Sequence, residues 1–80
     1  MNDEELKYLK EYVARQAHQF AVAATVTYDA EDGFITVEVV TKAGSGQPRS
    51  IKRSGRFESR AQAEAFIDHA VRAASVSLRR

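Results

Sequence analysis

The chain lacks cysteine and tryptophan altogether and has a single proline and four glycines in 80 residues. Without a thiol there is no disulfide to brace a small fold, no thiolate nucleophile and no soft metal ligand. That absence suits a reducing compartment. No apolar run approaches the roughly 18 residues of a membrane span. The opening stretch MNDEELKYLK is acidic and polar, unlike a secretory leader, so no membrane partner is expected and the cytoplasm is the expected location.

Eighty residues make one small domain, 1–80. A chain this short buries only about 60% of its unfolded surface, and its core rarely contributes more than roughly 3–5 kcal/mol. The net charge of +1 hides a division. Residues 1–41 carry three basic against eight acidic side chains, giving −5, and residues 42–80 carry nine against three, giving +6. Such asymmetry points to a charged partner or to head-to-tail attraction between copies.

The pattern reads as α-β-β-β-α. Asn2 with Glu5 is a capping-box spacing, and Leu6, Leu9, Val13, Ala17 and Phe20 recur on one helical stripe to about Gln19. Tyr12 lies on the rim of that stripe, with Tyr8 and Arg15 on the opposite side. FAVAATVTY (20–28) and FITVEVVT (34–41) alternate, as strands do. Asp32-Gly33 between them is hairpin chemistry. Loops of two or four residues put both apolar sets on one face, with Tyr28 opposite Val37 or Ile35; odd loops do not. AGSGQP is a turn, and RSIKRSGRF (49–57) is an edge strand with a bulge expected at Ser54-Gly55. Ser59 with Gln62 caps a last helix whose stripe is Ala63, Phe66, Ile67, Ala70, Val71 and Ala74. Asp68 and Arg72 are spaced to pair on its wet side, and residues 75–80 are expected to fray. The fold class is α+β, a three-stranded antiparallel sheet with both helices on one face. The other face, from Ala21 through Thr25, Thr27 and Thr36 to Val40, stays open, where a second copy can pack to form a homodimer.

Chemistry is sparse. His18 and His69 stand alone, and a zinc site needs three or four converging ligands. No serine sits on a strand-to-helix elbow. GSG at 44–46 is followed by a strand, not by the Lys-Ser/Thr and helix of a phosphate loop. No catalytic residue, metal or cofactor is therefore expected. The feature with weight is basic: Lys42, Arg49, Lys52, Arg53, Arg56 and Arg60 fall within nineteen residues, opposed only by Glu58. Three readings stay open: cations guarding an edge strand against aggregation, docking on an acidic protein, and phosphate contacts with nucleic acid. Lys52, Arg56 and Arg60 are expected to line one edge. Tyr8, the aromatic pointing away from the core, is a candidate anchor beside Arg15.

Two resemblances bear on this. The element order, FITVEVV as a middle strand and SRAQAEAFIDHA as a last helix resemble a double-stranded RNA-binding domain, which implies an RNA-gripping module. Where that family opens its last helix with lysines, this chain has Arg60 followed by Ala61, Gln62 and Glu64. Its first hairpin loop is the acidic DAEDG. RFESRAQAEAFIDHAV is similar to a strand-to-helix junction in small phage-encoded inhibitors, anti-CRISPR proteins in particular. That likeness implies an inhibitor in the host cytoplasm that occupies a surface on a nucleic-acid-handling complex.

Overall fold

The computed structural model describes residues 2–41 and 49–78. Helix α1 (Asp3–Gln19) is followed by β1 (Val22–Asp29), β2 (Phe34–Thr41), β3 (Ser50–Gly55) and helix α2 (Arg60–Leu78). The expected turn AGSGQP and Lys42 lie outside the described residues.

Asn2 stays extended and its Oδ1 accepts the Glu5 N–H at 2.8 Å, satisfying one of the orphan donors at the start of α1. Asp3, Glu4 and Glu5 meet the positive end of the helix dipole and His18 the negative end. The exit uses two residues that the alternation assigns to a strand. Phe20 donates to the carbonyl of Ala17, Ala21 donates to that of His18, and Ala21 takes φ of 57°, the left-handed conformation that turns a chain off a helix end. The first strand therefore begins at Val22 rather than at Phe20, which stays half-buried against the core.

β1 and β2 pair antiparallel with Tyr28 opposite Ile35, Val26 opposite Val37 and Ala24 opposite Val39. This is the four-residue loop, Ala30 to Gly33, of the two the pattern allowed. Gly33 donates to the Asp29 carbonyl at 2.7 Å with φ of 71°, and the Asp29 carboxylate accepts the Glu31 N–H at 2.9 Å. The side chain thus supplies an Asx turn, and glycine closes it in the left-handed region. β3 pairs with β2 without interruption from Ser50–Val40 to Gly55–Ile35, giving the order β1-β2-β3. The expected bulge at Ser54-Gly55 is not formed. Gly55 is needed for another reason: a Cβ there would lie 2.8 Å from the tip of the Phe57 ring. Phe57 lies over the bare backbone and packs on Phe66 with centroids 4.8 Å apart, which fixes the approach to α2.

Ser59 Oγ accepts the Gln62 N–H, and Gln62 reaches back to the Glu58 N–H at 3.0 Å, one residue before the expected partner. α2 does not stop at Ala74. It runs to Leu78, and Ser75, placed above in a fraying tail, is 1% exposed. Its hydroxyl donates to the Arg72 carbonyl at 2.8 Å, so a polar residue continues the buried stripe without an unpaired group.

Leu9, Val13 and Ala17 of α1, Ala63, Ile67, Ala70, Val71 and Ala74 of α2, and Val22, Val26, Ile35, Val37 and Val39 of the sheet form one buried cluster. Both helices therefore cover the same sheet face. No helix among the described residues is long and apolar enough to cross a membrane.

Two substitutions test these local accounts. Ala21→Gly should raise stability by about 0.5–1 kcal/mol, because an L side chain is strained in the left-handed region. Gly55→Ala should lower it by about 1–3 kcal/mol, because the Phe57 ring must leave its seat. Thermal melts of both variants check the pair; a lower melting temperature for Ala21→Gly would contradict the first.

Candidate partner-binding surface

Alternation sets what β3 presents. Ile51, Arg53 and Gly55 share the phase of Val39, Val37 and Ile35, the helix-covered face; Ser50, Lys52 and Ser54 take the other. Ile51 is half-buried under the helices, but Arg53 is exposed although in the inward phase. The helix layer leaves that margin of the sheet open, so a cation sits there at no desolvation cost. Lys52 is exposed and reaches Glu38 on β2 at 3.8 Å. Arg49 is exposed immediately before the strand. Arg56, just after it, lays its guanidinium 4.7 Å from the centroid of Phe34, the aromatic on the outer face of β2. Thr36 and Ser54 share a 2.8 Å hydrogen bond on the same face.

Arg60 does not join this group. It is the first residue of α2 and turns to the helical layer, 4.7 Å over the Tyr8 ring and 3.8 Å from Glu64. The expectation that Lys52, Arg56 and Arg60 line one edge fails here. Two residues separate Arg56 from Ser59, the cap, but the chain changes layer between them as Phe57 dives under α2. Tyr8 is not an outward anchor either. It is half-buried against the core and stacks on Tyr12 with ring centroids 6.2 Å apart. Arg15 lies 5.9 Å over the Tyr12 ring, and its charge also reaches Tyr8.

The cluster between the helices was not expected. Tyr12 Oη donates to both carboxylate oxygens of Asp68, at 2.8 and 2.9 Å, so Asp68 serves α1 rather than Arg72. Tyr8 meets Arg60 and Glu64, and Tyr12 meets Asp68, so both helices ascend together and run parallel. Residues 8 and 12 on one helix and 60, 64 and 68 on the other share a four-residue step, and that common step was the signal available in the sequence. Burial, the Asp68 hydrogen bond and the Asp68 charge push the Tyr12 hydroxyl up to about 12. Glu64, through a hydrogen bond and its charge, and partial burial raise Tyr8, against the pull of Arg60 and Arg15.

A shallow hollow of about 410 Å³ is lined by Tyr28, Gly33, Ile35, Arg56, Phe57 and Glu58, without a hydrogen-bonded nucleophile and base. Among the described residues no three His, Cys, Asp or Glu side chains converge as metal ligands. The β1–β2 turn is acidic and open, with Asp29, Glu31 and Asp32 all exposed. Set against family models, curated proteins and solved structures, the chain matches none.

Burial of the Tyr12 hydroxyl, together with its Asp68 hydrogen bond, makes stability depend on pH at the alkaline end. The tyrosine ionises near 10 when unfolded and near 12 when folded. The stabilisation is therefore complete below about pH 10 and is lost as pH rises through about 12. Tyr12→Phe should cost about 1–2 kcal/mol at neutral pH, since a half-buried carboxylate loses its donor. Denaturant midpoints of the two proteins should converge between pH 10 and 12; a gap that stays constant across that range would rule the Tyr12 hydroxyl out as the cause.

Proposed function

We propose that the protein is a non-enzymatic binding module that docks on an acidic surface of a protein partner through the cations of β3. In this reading it acts as small phage-encoded inhibitors do, anti-CRISPR proteins among them, by occupying a surface on a nucleic-acid-handling complex. The observation that carries it is the exposure of Lys52, Arg53 and Arg56 on and beside an edge strand, with Arg49 exposed ahead of them, Glu38 beside Lys52 and Glu58 two residues after Arg56.

The rest of the surface supports a polar mode of docking. Val76 is the one large apolar side chain exposed among the described residues. The centre of the outer sheet face carries Thr25, Thr36, Glu38, Lys52 and Ser54, and Phe34 at its end is capped by Arg56. A homodimer built on that face would lack an apolar centre. Duplex RNA is disfavoured by charge, because the exposed Asp29, Glu31 and Asp32 stand where the double-stranded RNA-binding family inserts its first hairpin loop. Electrostatic complementarity to an acidic protein patch gives orientation and association rate without a large apolar footprint.

Reversal of Lys52, Arg53 and Arg56 to Glu tests the reading. The fold should survive, because the Lys52–Glu38 pair is exposed and the Arg56–Phe34 contact is worth only about 0.5–1 kcal/mol at such a site. Capture of the partner from lysate by the immobilised protein should be lost in the triple variant and kept in Arg60→Ala, whose cation faces Tyr8. Labelled duplexes and single strands should not bind at micromolar protein in low salt. Saturable binding whose affinity falls with a log–log slope of roughly −0.9 per phosphate contact would replace this function with a nucleic-acid one.

A further inference from the structure

β3 is an edge strand: β2 pairs with one side, and among the described residues no strand pairs with the other. An edge presents a row of backbone N–H and C=O groups, which templates the addition of another strand. We infer that β3 receives an extended acidic segment of the partner as a fourth strand. The inference rests on the docking function proposed above and specifies its geometry.

Charge selects the occupant. A second β3 would bring Lys52 and Arg53 against their own copies, and like charges directly across a strand pair repel. Self-pairing is thereby discouraged while the backbone remains available. The other edge offers no such selection, since β1 has no charged side chain from Val22 to Tyr28.

The two faces of β3 then dictate a sequence pattern. Lys52 stands on the outer face and Arg53 on the helix side, both exposed. Adjacent positions of an added strand face opposite sides, so two consecutive acids in the partner meet the two cations at once. The acid beside Arg53 stays in water, because the helix layer leaves that margin uncovered. The position beside the half-buried Ile51 favours a β-branched apolar residue. The segment expected is therefore β-branched residues flanking an acidic pair. Glu38, 3.8 Å from Lys52, is the intramolecular competitor that an incoming acid displaces.

The test uses the full chain and two capped peptides of equal charge, TVTEDVTV and TPTEDPTV, followed by backbone amide resonances and hydrogen exchange. Proline lacks the N–H that a ladder requires. The first peptide should shift the amide resonances of residues 50–56 and slow their exchange, and it should bind at least about tenfold more tightly than the second, a difference of about 1.4 kcal/mol. Lys52→Glu/Arg53→Glu, shown to be folded by its melt, should lose that binding. Equal binding of the two peptides would overturn strand addition and leave charge-driven docking standing. Binding of neither at millimolar peptide would overturn strand addition as well. Binding of oligothymidylate at β3 in place of either peptide would overturn both this inference and the protein-docking function.

Discussion

The inward face of β2 is what joins the two helical contacts, α1 on β1 and α2 on β2 and β3. Ile35, Val37 and Val39 are each no more than 2% exposed and lie between the stripes of α1 and α2. A strand has two faces, and a helix of this type has one apolar stripe, so two helices can share one sheet face only if the other is left to water. That choice makes Thr36, Glu38, Lys52 and Ser54 a polar surface. It also leaves the margin of β3 beyond the reach of the helical layer, and Arg53 can keep its charge in the inward phase for that reason.

The helices need more than apolar contact to hold a register. Ridges of side chains packed into grooves leave a small set of registers, and a donor and acceptor pair selects among them. Tyr12 held by both oxygens of Asp68 and Tyr8 stacked between Tyr12 and Arg60 fix which turn of α1 faces which turn of α2. The consequence reaches the surface. Drawing Arg60 onto Tyr8 and Glu64 removes it from the basic strip, so the helix interface decides which cations remain on the β3 side.

This division explains what the sequence made legible. Element order, the two N-caps and the β1–β2 register follow from local spacing, because alternation and the parity of the loop leave only two registers that bury Val26 and Ile35 together. The exposure of Lys52 and Arg53 follows from the edge position of β3, whose margin the helices leave open at Arg53 but not at Ile51. The exit of α1 was not legible, since Ala21 adopts a conformation its side chain disfavours and nothing local marks it. Gly55 was misread because a strand glycine marks a bulge or a close approach alike, and only the position of Phe57 decides. Tyr8 was misplaced because an isolated helix shows one stripe, and the second arises only when α2 lies alongside. Ser75 hid for a related reason: a serine that bonds its own helix counts as polar in the pattern and as buried in the fold.

The net charge of +1 describes neither side of the molecule. At physiological ionic strength a charge is felt over roughly 8 Å, so an approaching partner senses local clusters rather than the sum. The end of the sheet that holds the β1–β2 turn carries Asp29, Glu31 and Asp32, with Glu4 and Glu5 exposed at the start of α1. That end also holds Arg56 and Arg60, whereas the middle of β3 carries Lys52 and Arg53 on opposite faces of one strand. A rigid polyanion such as a duplex needs cations spread over one broad face, since its phosphates follow two ridges. A pair divided between the two faces of an edge suits a ligand thin enough to lie along that edge. An extended polypeptide matches both the donors and the acceptors of such an edge at the spacing of a strand ladder.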